Sequence, residues 1–315
     1  MKITVIVCTF NRCQMLPTML DSVAASKLPP SVDWEVLVVD NNSSDQTQGA
    51  VERFCRQYPG RFRYVFEPKP GKTYALNTGI HEAGGDVLAF IDDDVIVEPT
   101  WLRNLTLSLN DGEWGGSGGR TLPEQSFSPP PWLPREGHYG LAPLAVFDLG
   151  SDPCELTEPP FGNNMAFRKA MFEKHGGFRL DLGPRAGSRD PQKSEDSEFG
   201  HRLLDAGERL RYEPSAVVYH AVPPGRVMKK YFLGWWFDKA RADIRAFGIP
   251  RDAKWRVGGI PLSLFRRLAV WSLRWMATVQ SSRRFSCKIK VWVLGGEIFE
   301  CYRLSRNKMG VVTAR

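Results

Sequence analysis

The sequence predicts an α/β protein, a mostly parallel sheet flanked by helices, followed by a basic and largely helical C-terminal extension. Three observations predict it. Apolar, β-branched runs alternate with stretches of helical spacing through the first hundred residues. Two of those runs end in aspartate, at Asp40 and at the triplet Asp92-Asp93-Asp94. Beyond residue 222 the charge balance reverses: residues 223–315 carry 20 Lys/Arg against 5 Asp/Glu, while the remainder carries 22 against 30.

The elements follow in order. Ile3–Cys8 is a buried strand and Gln14–Ala25 has the apolar spacing of a helix. Glu35–Asp40 is a second strand ending in a carboxylate; Asp45–Arg56 reads as a helix, Phe62–Phe66 as a strand and Thr73–Ala83 as a helix. Asp86–Ile91 is the strand that discharges into the aspartate triplet. In a parallel sheet the strand tips share one edge, so Asp40 and Asp92 converge there, where open α/β sheets bind ligands. Three carboxylates at the end of a buried strand are costly unless a cation meets them. A hard divalent ion, Mg²⁺ or Mn²⁺, with a nucleotide diphosphate supplying further oxygens, fits that need; a solvated acidic turn is the alternative.

Residues 123–160 are rich in proline and predict an irregular insertion, after which apolar patterning resumes at Phe161–Phe167. A second polar loop, Gly183–Ser194, runs into Glu195-Asp196, which open a helix over Ser197–Ala206 with Gly207 as its C-cap. Ala216–Tyr219 is strand-like and ends at His220. The expected organisation is 1–222, in halves 1–120 and 121–222, and then 223–315.

At 315 residues and 35.6 kDa, with 42% hydrophobic and 24% charged residues, the composition is that of a globular protein. The six cysteines form no Cys-x-x-Cys pair and no Cys/His ligand spacing, which predicts free thiols and a cytoplasmic location. Met1–Val7 is too short for a signal peptide and reads as the first strand; no uncharged stretch approaches the roughly 20 residues of a membrane span. The net +15 of residues 223–315 points to phosphate or an anionic membrane surface at the inner face of the cell membrane, and no nucleic acid is expected.

Several short motifs admit two readings each. Thr9-Phe10-Asn11-Arg12 fits a base-and-ribose contact or a simple N-cap with a packed ring. Pro70-Gly71-Lys72-Thr73 lacks the first glycine of a P-loop, because Phe66 stands there; Lys72 at a helix N-terminus suits a diphosphate or is simply solvated. Glu195-Asp196 fits a helix cap or a general base beside a positioning acid. His220 fits a structural histidine or a contact to metal or pyrophosphate. The following Arg226, Lys229 and Lys230 could fold over a diphosphate and exclude water. Over Pro261–Ser282, Phe265, Leu268, Trp271, Trp275, Met276 and Val279 form one helical face, with Arg266, Arg267 and Arg274 on the other. That helix fits a membrane interface or a packed helix.

In order and spacing these residues resemble the family 2 glycosyltransferases of the GT-A, Rossmann-like fold, over roughly residues 1–220. Ile6–Arg12 is similar to the family's first nucleotide-contacting strand and turn, so the resemblance implies donor contacts from Thr9, Asn11 and Arg12. Val38–Asp45 resembles the second, with Asp40 recognising the base. Lys72 through Asn77-Thr78-Gly79 matches the helix near the donor phosphates and sugar. Asp92-Asp93-Asp94 corresponds to the Asp-x-Asp motif, implying Asp92 and Asp93 at the donor and Asp94 on the metal. Phe161–Arg168 resembles the acceptor-side strand, with Gly162, Asn163 and Asn164 at the acceptor. Glu195-Asp196 resembles the family's Glu-Asp pair, with Asp196 the catalytic base, and Tyr212 through His220 resembles the strand ending in a metal- or pyrophosphate-binding histidine. Residues 1–120 are then the nucleotide-sugar half and 121–222 the acceptor half.

Two positions depart from the family. Leu76 stands where an arginine is usual, which removes one expected donor contact. The Gln-x-x-Arg-Trp motif of processive synthases has Trp271 in place of its glutamine, so single-sugar transfer is expected. The resemblance thus implies an inverting transferase using a nucleotide-diphosphate sugar, a UDP-sugar foremost, a divalent metal, and a glycan or lipid-linked acceptor. The alternatives are a sugar nucleotidylyltransferase, which would carry a glycine-rich loop after its first strand, and a non-catalytic donor-binding or scaffold protein of a glycan assembly complex.

Overall fold

The structure, a computed structural model, describes residues 1–110, 112–133, 140–185, 187, 193–249 and 255–312, with side chains as far as residue 306. Parts of the expected loops at 123–160 and 183–194 therefore lie outside the described residues. The chain divides into two compact units: Met1–Gln125, Ala145–Arg189 and Glu195–Ala221 form one, and Ser126–Leu144, Asp190–Ser194 and Val222–Arg315 the other.

In the first unit β1 (Lys2–Thr9), α1 (Leu16–Ala24), β2 (Asp33–Asp40), α2 (Thr47–Gln57), β3 (Phe62–Phe66), α3 (Lys72–Glu82) and β4 (Val87–Asp92) follow the alternation that the apolar runs predict. β1 pairs in parallel with β2 and β4, and β2 with β3. These strands are covered on both faces, which is why they read as continuous apolar runs. Val5, Val36, Val38 and Ala89 join a core with Leu16, Leu20 and Val51. Their neighbours Ile6, Leu37, Val39, Leu88 and Phe90 point the opposite way, into a core with Ala75, Leu76 and Phe199.

The chain continues through β5 (Val95–Val97), α4 (Trp101–Thr106), β6 (Gly116–Pro123), β7 (Cys154–Glu155), β8 (Asn164–Arg168), α5 (Lys169–His175), α6 (Glu195–Asp205) and β9 (Leu210–His220). The sheet order is β3-β2-β1-β4-β8-β6-β9-β5, with β7 on β9. Its parallel character belongs to the first four strands. β8 runs antiparallel to β4 and β6, and β9 runs parallel to β6 but antiparallel to β5 and β7. The glycine-rich β6 escapes a sequence reading because its glycines answer to distant neighbours. A Cβ on Gly119 would stand 2.4 Å from both Asn164 Nδ2 and Ala216 O.

This topology positions the site. The chain leaves β1 for β2 and β3 on one side and returns to β4 on the other, opening a crevice at the tips. In register, Thr9 lies opposite Asp40 and Cys8 opposite Asp92.

The second unit is helical: α7 (Lys229–Phe247), the short pair β10 (Arg256–Val257) and β11 (Ile260–Pro261), α8 (Leu262–Ala277) and α9 (Ser281–Val312). α7 and α8 both pack on α9, around Ile244, Ile260, Leu264, Leu294 and Cys301. Trp132 meets Phe232 and Phe285 edge-on at 5.4 and 4.9 Å, which ties the proline-rich 126–133 stretch to these helices. The helix expected over Pro261–Ser282 ends at Ala277, and its expected apolar face is divided. Leu268 and Trp271 pack on the core and Trp275 meets Trp292, whereas Phe265, Met276 and Val279 are exposed. Among the described residues no helix is long and apolar enough to cross a membrane.

Candidate active site

The tips of β1 and β2 are locked together by short polar contacts. Asn11 adopts the left-handed conformation (φ +53°), which asparagine tolerates. Its backbone N–H donates to Ser43 Oγ (2.8 Å) and its side-chain oxygen accepts the Ser44 N–H (2.8 Å). Asp40 is 2% exposed. It accepts the Ser43 N–H at 3.0 Å and the Tyr64 hydroxyl at 2.9 Å. Burial, reinforced by Asp40, pushes the Tyr64 phenol up from its ordinary value. Asn41 donates to Lys69 O (2.7 Å) and accepts the Gly71 N–H (2.7 Å), fixing the loop from which α3 begins.

Lys72, the first residue of α3, reaches both carboxylate clusters. Its Nζ lies 2.8 Å from Asp92 Oδ1 and 3.6 Å from Glu195 Oε1. Burial works against the ammonium charge, but Asp92 and Glu195 outweigh it and hold the lysine charged well above its ordinary range. Glu195 is 5% exposed. Burial pushes its carboxyl up to about 7; Lys72 opposes the shift and Asp196 adds to it. Asp196, one residue into α6, accepts the Gly162 N–H through Oδ2 (2.8 Å) and the Ser197 N–H through Oδ1 (2.7 Å). A Cβ on Gly162 would lie 2.9 Å from that same Oδ2, so the close approach needs glycine.

The members of the triplet point to different partners. Asp92 takes Lys72, while Asp93 accepts the Thr9 hydroxyl at 2.7 Å with Arg12 Nε at 3.8 Å. Burial pushes Asp93 up to about 6; the Thr9 hydrogen bond opposes this and Asp94 adds to it. Asp94 Oδ1 stands 3.5 Å from His220 Nε2. That meeting follows from register: β5 begins at the next residue, and Val95 pairs with His220 of the antiparallel β9. A carboxylate and an imidazole are a donor pair that a divalent ion can share. Among the described residues no group of three or more His, Cys, Asp or Glu is gathered tightly enough to hold an ion by itself, so substrate oxygens and water would complete its shell.

Three other expected contacts have amides that hydrogen-bond within the protein. Asn77 clasps the backbone of Phe178 with both ends of its amide, donating at 2.8 Å and accepting at 2.9 Å. Asn163 accepts the Thr121 hydroxyl (3.2 Å) and donates to Ala145 O (3.2 Å). Asn164 is buried, accepting the Trp101 indole N–H (2.8 Å) and donating to Arg120 O and Ala216 O. Arg226 lies in the turn Pro224–Val227 of the helical unit. Conversely, Asn41 and Tyr64 hold the strand tips without having been singled out by the sequence; Asn41, directly after the aspartate ending β2, was the available signal.

A sequence model of the family described as "Glycosyl transferase family 2" matches residues 4–176, more than half of the chain. The chain belongs to that family. As a family 2 glycosyltransferase it is similar to succinoglycan biosynthesis protein ExoM of Rhizobium meliloti (strain 1021), at 28% identity over 220 residues, 70% of this chain and 67% of the other. It is also similar to glucosyl-dolichyl phosphate glucuronosyltransferase of Haloferax volcanii, at 27% over 223 residues, 70% and 69% of the two chains. The fold of this family 2 chain is that of the mannosyltransferase PcManGT from Pyrobaculum calidifontis, solved with GDP-Man and Mn²⁺ (TM-score 0.57, 19% identity, 99% of this chain and 79% of that one). It is likewise that of S. aureus TarS 1–349 solved with UDP (TM-score 0.50, 17% identity, 98% and 91%). The GT-A architecture thereby accounts for the sheet and for the helical extension.

Proposed function

We propose that this family 2 glycosyltransferase moves one sugar from a nucleotide-diphosphate sugar to an acceptor hydroxyl with inversion, in the synthesis of a glycan or glycolipid. The observation that carries the reading is the Lys72 ammonium standing between Asp92 and Glu195. It joins the donor edge, at the tips of β1, β2 and β4, to the start of α6, where Asp196 sits.

The chain's own groups divide the work. Thr9, Asn11, Arg12, Asp40 and Lys72 form the donor edge, with Lys72 facing the diphosphate. Asp196 is held by the Gly162 and Ser197 amides, oriented to take the acceptor hydroxyl proton as that oxygen attacks the anomeric carbon from the face opposite the diphosphate. A positioned base of this kind contributes ~10²–10⁴-fold. Glu195 beside it positions Lys72. Asp94 and His220 would hold a divalent ion, Mn²⁺ or Mg²⁺, which supplies charge neutralisation of the departing diphosphate.

A UDP-sugar is the donor favoured here, and a glycan or lipid-linked hydroxyl the acceptor. The net +15 of residues 223–315 draws the chain electrostatically to an anionic membrane surface, at its cytoplasmic face. A screen of nucleotide sugars reading nucleoside diphosphate release, with and without Mn²⁺, tests the reading. Metal-dependent release from one donor is expected; no release from any nucleotide sugar, together with pyrophosphate release from a nucleoside triphosphate and a sugar 1-phosphate, would favour nucleotidylyl transfer and overturn it.

A further inference from the structure

Helix α8 is apolar on two sides, and the helical unit uses one of them. Leu264 is buried, and Leu268, Trp271 and Trp275 face the packing against α9. On the other side Leu262, Phe265, Val270, Leu273 and Met276 are exposed, Leu273 at 63% and Met276 at 65%, with Val279 just past the helix end at 93%. At 100° per residue, Leu262, Phe265, Ala269, Leu273 and Met276 fall in a stripe about 80° wide and roughly 20 Å long. Scattered exposed apolar residues need no explanation, but a continuous stripe does.

The charge around the stripe selects its occupant. Residues 262–290 contain seven Lys/Arg and no Asp/Glu. Arg266 borders the stripe and is exposed; Arg274, about 100° from its edge and stacked on Trp271 at 4.9 Å, is exposed too, as are Arg283, Arg284 and Lys290 at the start of α9. A second copy of the chain seated on this face would set arginine against arginine. A single convex helix face also offers no groove for a folded partner. An apolar ridge on a helix whose charged residues are all basic matches the boundary between anionic headgroups and acyl chains.

We infer that the outer face of α8 lies in the interfacial layer of an anionic lipid bilayer. Leu262, Phe265, Leu273, Met276 and Val279 enter the acyl boundary, and the basic residues of 262–290 meet the headgroup phosphates. The inference rests on the electrostatic attraction proposed above and adds to it a defined element and a defined inserting side. It also replaces the face expected from the sequence, since Leu268, Trp271 and Trp275 are occupied inside the protein.

The test is co-sedimentation of the full chain with vesicles containing about one-third phosphatidylglycerol in phosphatidylcholine, and with phosphatidylcholine alone. Binding to the anionic vesicles is expected. The double variant Leu273→Asn/Met276→Asn should bind them at least ~10-fold more weakly, with its thermal transition unchanged because both side chains are exposed. Arg266→Gln/Arg274→Gln should weaken binding and reduce its salt dependence. Undiminished binding by the Leu273/Met276 variant would overturn insertion while leaving the electrostatic attraction standing. No binding by the parent chain at low salt would overturn both, without touching the transferase reading. A dimer in sedimentation equilibrium that the same variant makes monomeric, with vesicle binding unaltered, would assign the stripe to a second copy and overturn the inference.

Discussion

At the sheet tips, Asp92 and Glu195 share the Lys72 ammonium; in the helical unit, the guanidiniums of Arg241, Arg245 and Arg303 share Glu300. The two clusters are near mirror images in sign, and their carboxyls respond oppositely. Glu300 is 0% exposed, with Arg245 Nε at 2.7 Å, Arg303 Nε at 2.8 Å and Arg241 Nε at 3.2 Å. Against its burial, Arg245 and Arg303 pull its carboxyl down to about 2. At the tips, burial wins instead, and Glu195 and Asp93 rise to about 7 and 6. An anion supplied with more positive charge than it needs is a structural joint. Anions supplied with less form a place that gains from an added cation, such as the divalent metal proposed above.

That contrast can be broken from either side. The largest effect is expected from Glu300→Gln, which strands its arginines in the helical core. It should cost on the order of 3–5 kcal/mol, read as a lowered denaturation midpoint. Asp196→Asn keeps one of the two N–H bonds and should lower the thermal transition only modestly, while cutting nucleoside diphosphate release at least ~100-fold, with donor binding retained by calorimetry. Asp94→Ala should weaken nucleotide binding in the presence of Mn²⁺ by roughly tenfold while leaving metal-free binding unaltered. Equal affinity with and without the ion in the parent chain would remove Asp94 and His220 from that role.

The smallest effect is the most diagnostic, because the two glutamates should tilt stability in opposite directions. Glu195 has a folded value above its ordinary 4.5, so its contribution is full below pH 4.5 and is lost as pH rises through about 7. Glu300 has a folded value below 4.5, so its contribution is full above that pH and is lost as pH falls toward about 2. Denaturation midpoints across pH should show Glu195→Gln flattening the neutral side and Glu300→Gln flattening the acid side.

The same two regions differ in how far their residues announce them. The first four strands and their helices were legible because each is a local apolar run with its own period, ending in a polar tip. Most charged members of the site were legible for the same reason: Asp40, Asp92 and Asp94 sit where strands stop. β5 and β6 were not, since Val95–Val97 is a strand by virtue of β9 and Gly119 by virtue of Asn164. Asn77 and Asn164 carry the residue types of ligand contacts, yet their amides serve backbone groups many residues away. In α8 the periodicity was clear, but a helix apolar on both sides does not reveal which side its neighbour covers.

The pairing of Val95 with His220 has a consequence for how such a site could be silenced. Side chains alternate across a sheet, so sliding β5 by a single step against β9 would turn its inward face outward and carry Asp94 a full residue away from the imidazole. One residue inserted between 94 and 95 could therefore dismantle the pair while every acidic and basic group stayed in the chain.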